Sequence, residues 1–385
     1  MAGSIAGQEF PGTREGGAAA VREGGGFERR GVLRTLGLGG GAALAASALA
    51  ACSSSRNSSS SSGAIGDFPK TPGYKFAFIN HVTTNSYFAP TQNGMKDATD
   101  MLGLPAPSWT GSETGEVTEM VSAMETAISA GAAGIAIPLV DANAFIAPTK
   151  AALAAGIPVV AYNATAPNNY PLTYVGQDLY LSGYEMGQKI AAQVSSGKIL
   201  IGISQPGSLN VQPRLDGAKA ALKALAPDVT IQEVDTGAAQ AGELSAMESA
   251  YQGAKAAKGI YAVDAGSTES IAQMIEKYGI SGQLHAGGFD ALTPTVGAVK
   301  SGALDFTIDQ SPYLQGFLPV IYMFLYRMTG TLVFPPATDT GLTFVTTANV
   351  ATYVSANSWV EYGNSRAVVP MPGSINLPPA STVQS

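Results

Sequence analysis

From Lys75 onward the sequence alternates short apolar runs with amphipathic helical windows, and this alternation restricts the chain to βαβ architecture. The runs are Phe76 to Ile79, Gly134 to Leu139, Pro158 to Tyr162, Leu172 to Val175, Ile199 to Ser204, Val229 to Val234, Gly259 to Val263, Leu284 to Phe289 and Phe306 to Ile308. They are rich in Val, Ile, Phe and Tyr, as strands buried on both faces should be. Between them lie helical windows at 117–130, 142–155, 180–194, 213–225 and 243–257. In the last of these Leu244, Met247, Ala250, Tyr251 and Ala254 repeat at helical spacing. Strands that alternate with helices build parallel sheets through right-handed crossovers, with helices on both faces. About ten such strands are too many for one sheet around one core, and 385 residues exceed an average domain. The sequence therefore predicts an α/β fold of two doubly wound parallel-sheet lobes joined by a hinge. Tyr174 to Asp178 reads as a strand passing from one lobe to the other.

The residues before this pattern form an address. Arg29-Arg30-Gly31-Val32-Leu33-Arg34 leads into a soft apolar stretch from Leu36 to Ala50. This resembles a bacterial twin-arginine export signal, with Val32 where Phe is more usual. The stretch is short and Gly-rich for a membrane span, which needs about 20 apolar residues. It ends in Leu49-Ala50-Ala51-Cys52, which looks like a lipoprotein cleavage box and makes Cys52 the expected lipidation site. Ser53 to Ser62, broken only by Arg56 and Asn57, has nothing to bury and reads as a tether.

Charge and cysteine usage exclude several functions. The formal net charge is -7, and the first 51 residues hold five Arg against four Glu, so the acid excess lies in the remainder. Phosphate backbones need a clustered basic surface, so no nucleic-acid partner is expected. With one Cys and two His, His81 and His285 being alone in their segments, neither a metal centre nor His-dependent catalysis has its residues. No cofactor is implied.

Open α/β sheets bind ligands outside the carboxyl ends of their strands. After the first apolar run come His81 and then Asn85-Ser86-Tyr87-Phe88. Asn163 follows the run ending at Tyr162, and Gln205 the run ending at Ser204. Asp264 follows Val263, Asp290 follows Phe289, and Gln310 follows Asp309. Amides, single carboxylates and two aromatics are the groups that recognise hydroxyls and the apolar face of a sugar ring. Taken singly, each Asn or Asp could instead cap the next helix, and Tyr87 and Phe88 could be core.

At this point the chain resembles the ribose-binding type of periplasmic sugar-binding proteins, the type I solute-binding proteins of ABC importers. The resemblance spans about Lys75 to Val345. It is carried by Asn85-Ser86-Tyr87-Phe88 with Gly94, by Gly156-Ile157-Pro158-Val159-Val160, and by Tyr174-Val175-Gly176-Gln177-Asp178 leading to Gly183. Arg214-Leu215-Asp216-Gly217, Gly288-Phe289-Asp290, Thr307-Ile308-Asp309-Gln310 and Pro312-Tyr313-Leu314-Gln315-Gly316 complete it. It implies a ligand site of Asn85, Tyr87, Phe88 and Asn163 from the first lobe, facing Arg214, Asp264, Asp290 and Gln310. His81, Asp178 and Gln205 are further candidates. Ala164 stands where ribose binders carry Arg, and Ala238 near the place of a second-lobe aromatic, so ribose itself is not favoured.

The organisation this implies is a signal peptide over 1–51 and a tether over 52–72. A first lobe follows from 73–176 plus 311–334, a second from 177–310 plus 335–351, and an extension over 352–385. The implied function is capture of a small neutral sugar or polyol in the cleft and its delivery to an ABC importer permease. The protein would be an exported monomer, held to the outer face of the cytoplasmic membrane through Cys52 or periplasmic. A sensor without a transport role and an exported sugar-acting enzyme are the rival readings. The second would need paired catalytic carboxylates, for which Asp264 and Asp290 could be nominated, but a polar binding cleft explains them without chemistry. A lac-repressor-type regulator would need a helix-turn-helix where this chain has an export signal.

Overall fold

Each apolar run becomes a strand, all but Val229 to Val234 largely buried, and the strands sort into two six-stranded sheets. The computed structural model describes residues 72–354; the signal segment, Cys52, most of the tether and residues 355–385 lie outside them. The first sheet takes β1 (Phe76–Asn80), β2 (Ser108–Gly111), β3 (Gly134–Ile137), β4 (Val159–Tyr162) and β5 (Thr173–Gly176). The second takes β6 (Ser196–Ile203), β7 (Asp228–Asp235), β8 (Gly259–Ala262), β9 (His285–Phe289) and β10 (Phe306–Asp309). Two short strands then close one edge of each sheet: β11 (Ala337–Asp339) pairs in parallel with β5, and β12 (Thr343–Val345) pairs antiparallel with β10. The strand orders are β11-β5-β4-β3-β1-β2 and β12-β10-β9-β8-β6-β7. Every other pairing is parallel, as the doubly wound fold requires.

Pairing of β11 corrects the expected boundary. The sequence places residues 335–351 in the second lobe as a block, but Ala337–Asp339 lies in register with Tyr174–Gly176 of the first sheet. The chain thus passes between the sheets three times: after β5, after β10, and between β11 and β12. These passages are laced together. Thr340 Oγ1 donates to Gln310 O at 2.7 Å, Thr340 N to Gly176 O at 3.1 Å, and Gln177 Nε2 to Gly341 O at 3.0 Å.

The helices are α1 (Ala89–Leu102), α2 (Val117–Ser129), α3 (Ile146–Ala154), α4 (Leu179–Gln193) and α5 (Gln212–Leu225). They continue with α6 (Gln240–Gly253), α7 (Ala265–Tyr278), α8 (Thr293–Ser301) and α9 (Pro312–Thr329). Their limits follow from local chemistry. Proline in the first turn starts α1, α5, α8 and α9, and glycines in the left-handed region stop α1 and α7.

Each lobe contains one helix pair in backbone contact. A Cβ at Gly183 of α4 would lie 1.9 Å from Arg214 O of α5, and one at Gly217 of α5 would lie 2.1 Å from Tyr180 O of α4. In the first lobe, a Cβ at Gly94 of α1 would lie 2.1 Å from Tyr313 O of α9, and one at Gly316 would lie 1.9 Å from Thr91 O. No larger residue fits at these four positions without separating the helices.

The end of the described chain is docked on the second lobe. Tyr353 donates its hydroxyl to Asp309 Oδ2 at 2.9 Å, and Val350 is buried among second-lobe apolar residues.

Candidate ligand-binding cleft

The carboxyl ends of the two sheets meet at one cleft of about 490 Å³, counting the part that opens to solvent. Its walls include ten of the strand-end and family residues read from the sequence: His81, Asn85, Tyr87, Phe88, Asn163, Gln205, Arg214, Asp264, Asp290 and Gln310. Asp178 is not among them. Its carboxylate caps α4 by accepting from Leu181 N at 2.9 Å, the ordinary use of an Asp before a helix.

The first-lobe wall is aromatic and rigid. Asn85 Oδ1 accepts from Tyr87 N at 2.9 Å and fixes the short 3-10 turn that follows β1. Tyr87 and Phe88 pack edge to face with ring centroids 4.7 Å apart, and Phe88 meets His81 at 5.3 Å and Trp109 at 5.9 Å. Burying a ring such as Phe88 contributes about 1.5–3 kcal/mol, so the turn is anchored by its own aromatic side chains. Asn163 adopts φ 62°, which turns the chain out of β4. Its Nδ2 donates to Gln315 Oε1 at 3.2 Å, leaving Oδ1 buried without a partner.

The second-lobe wall is charged. Arg214 stacks 4.2 Å over the ring of Phe289 and donates through Nη1 to Val263 O at 3.1 Å and through Nη2 to Gln177 Oε1 at 3.5 Å. Its Nε has no partner. Asp264 is both cap and wall: Oδ1 accepts from Ser267 N at 2.9 Å and Oδ2 from Ser204 N at 3.0 Å. Asp290 accepts at Oδ1 from Gln310 Nε2 at 2.7 Å, and Gln310 Oε1 accepts from Gln315 Nε2 at 3.1 Å. Burial raises the Asp264 carboxyl, and it lifts Asp290 to about 7 against the opposing pull of Arg214 and Gln310.

Contacts at the mouth join the lobes. Asn210 Nδ2 lies 3.0 Å from His81 Nε2, Gln205 Nε2 donates to Gly115 O at 3.3 Å, and Leu209 N donates to Val140 O at 2.8 Å. Burial lowers His81 to about 4, so the ring is neutral at neutral pH. With Nε2 accepting from Asn210, Nδ1 carries the proton and points a donor with no partner.

Sequence reasoning missed Asn210, Gln177, Gln315 and Glu243 as members of this network. Asn210 sits in a loop and Glu243 on a helix, so neither follows a strand. Gln177 and Gln315 fall inside the quoted motifs but carry no distinguishing pattern of their own.

Fold and cleft together define a two-lobed solute-binding protein. The periplasmic binding protein domain matches residues 76–327, and the chain belongs to that family of extracytoplasmic binding proteins, which are not enzymes. It is 44% identical over 321 residues to the xylose/arabinose-binding protein XylF of Sulfolobus acidocaldarius, over 79% of this chain and 78% of that protein. A solute-binding protein of an ABC transporter from Burkholderia graminis, solved with D-arabinose, matches with a TM-score of 0.67 at 25% identity, over 75% of this chain and 100% of that one. A carbohydrate transporter protein from Acidothermus cellulolyticus, solved with myo-inositol, shares the fold with a TM-score of 0.65 at 24% identity, over 73% and 96% of the two chains.

Proposed function

We propose that this protein binds a small neutral sugar or polyol, with pentoses first among them, and delivers it to an ABC importer permease. One observation carries the reading. Four residues that line this cleft each hold a buried polar atom without a partner: His81 Nδ1, Asn163 Oδ1, Arg214 Nε and Glu243 Oε2. Unpaired buried polar atoms are expensive, and both lobes contribute them. A molecule that donates and accepts at several points of its rim would complete all four at once, and a sugar does so through its hydroxyls.

The remaining wall suits the same guest. Tyr87 and Phe88 offer ring faces or edges to the apolar side of a pyranose, while Asn85, Asn163 and Gln310 supply amides. Asp264 and Asp290 share the cleft with one guanidinium, so no excess of positive charge favours an anionic ligand. Closure is favoured by contacts that exist only when the lobes meet, and Arg214, Asp264 and Asp290 are the second-lobe groups that make them. The name of the 44% identical relative points to xylose and arabinose as the first ligands to test. Export as a monomeric lipoprotein anchored through Cys52 completes the proposal.

A thermal-shift screen against pentoses, hexoses and inositols tests it. A ligand at 100 times its dissociation constant stabilises the protein by about 2.7 kcal/mol. No shift with any member of the panel refutes the sugar reading.

A further inference from the structure

The second-lobe wall holds one acidic group that follows no strand and belongs to no quoted motif. Glu243 projects from the first turn of α6, is 2% exposed, and lines the cleft together with Ala238 and Gly266. Its Oε2 has no hydrogen-bonding partner. The carboxyl occupies a notch that exists only because residue 266 lacks a side chain: a Cβ there would lie 1.7 Å from Glu243 Oε2. The bare start of α7 and the small side chain of Ala238 thus leave this end of the cleft to Glu243.

We propose that Glu243 is a specificity residue whose carboxyl takes up one hydroxyl of the bound sugar. The inference rests on the sugar reading above and adds a residue to it. Burial, then the neighbouring carboxyls of Asp264 and Glu269, raise Glu243 to about 9. At neutral pH it is therefore a carboxylic acid, with one O–H donor and one carbonyl acceptor on the same group. A hydroxyl is the complementary ligand group, because it accepts from the O–H and donates to the carbonyl. The cleft's one guanidinium does not neutralise this corner by pairing, since the bonded nitrogens of Arg214 are directed at Val263 O and Gln177. A sugar lacking the matching hydroxyl leaves the acid unpaired in the closed cleft, and that penalty is the source of discrimination.

Calorimetric titration of the full chain with D-xylose, L-arabinose and their monodeoxy derivatives tests the inference. Glu243→Ala is expected to lose about tenfold or more affinity for a parent pentose, the scale of one buried hydrogen-bonding group. It should lose little for the deoxy sugar that lacks the hydroxyl being read. Glu243→Gln keeps one donor and one acceptor and should stay within a few-fold of wild type. The ligand-free melting temperature of Glu243→Ala should not fall, because an unpaired buried group has been removed. Wild-type affinity in Glu243→Ala, or an equal loss for parent and deoxy sugars, overturns the inference and leaves the sugar reading standing. A wild-type protein that binds no pentose, hexose or inositol overturns that reading, and the inference with it.

Discussion

Replacing Asp290 by Asn removes an ionisable group while preserving its surroundings. Asp290 sits at φ 73°, a left-handed conformation that Asn tolerates as well as Asp. The amide oxygen can accept the bond that Gln310 Nε2 now gives to Asp290 Oδ1 at 2.7 Å, and the backbone bonds to Ile308 O and from Thr307 Oγ1 are untouched. In the wild type, burial raises this carboxyl from its ordinary 3.8 to about 7. Between those two values the folded chain holds more proton at Asp290 than the unfolded chain does. The group therefore costs nothing below about pH 4, and its cost grows as pH rises and levels off above pH 7. Roughly three pH units at ~1.4 kcal/mol each set an upper limit of about 4 kcal/mol. Ligand-free Asp290→Asn should match the wild type near pH 4 and exceed it by up to that amount at pH 8, a difference of several degrees in melting temperature. Urea unfolding followed by circular dichroism from pH 4 to pH 8 reads both proteins. Parallel stability curves, with no divergence between pH 4 and pH 7, would refute the placement of Asp290 as a carboxyl whose ionised form is poorly solvated.

Three further outcomes follow from the same geometry. Arg214→Ala should weaken sugar binding by tenfold or more, the loss of one charged donor, and unchanged affinity by calorimetry removes Arg214 from the site. Asp178→Ala should cost about 1 kcal/mol in urea unfolding through its lost cap on α4 while leaving ligand affinity alone, and a binding defect there would return Asp178 to the cleft. Asn210→Ala breaks the bond to His81 across the mouth and should reduce affinity about fivefold, the worth of one net hydrogen bond. Unchanged affinity, with unchanged compaction by small-angle scattering when sugar is added, would sever that bond from closure.

How far the sequence was legible depended on burial. Eight strands announced themselves because their runs are largely apolar, as in Gly134–Ile137 and Val159–Tyr162, and the edge strand Asp228–Asp235 through its alternating Val229, Ile231 and Val234. The three that went unread are all edge strands. Ser108–Gly111 alternates exposed and half-buried residues, and Ala337–Asp339 and Thr343–Val345 are three residues each, too short to show a period. The lobe assignment of 335–351 failed at β11 for the same reason: its place beside β5 is fixed by backbone bonds that leave no mark on side chains. At the cleft, the rule that ligands meet strand ends found the walls but not the loop and helix contributors. Asn210 and Glu243 reach the cleft from segments whose patterns say only loop and helix. Asp178 shows the converse, a polar residue after a strand that is used up by the helix it begins.

The glycines joining α4 to α5 have a mechanical meaning. The chain leaves the first sheet at Gly176, passes through Gln177 and Asp178, and enters α4 without slack. Since α4 and α5 touch backbone to backbone, and Arg214 also reaches back to Gln177, the guanidinium is geared to the crossover itself. An opening motion about this passage should therefore carry the cation with it.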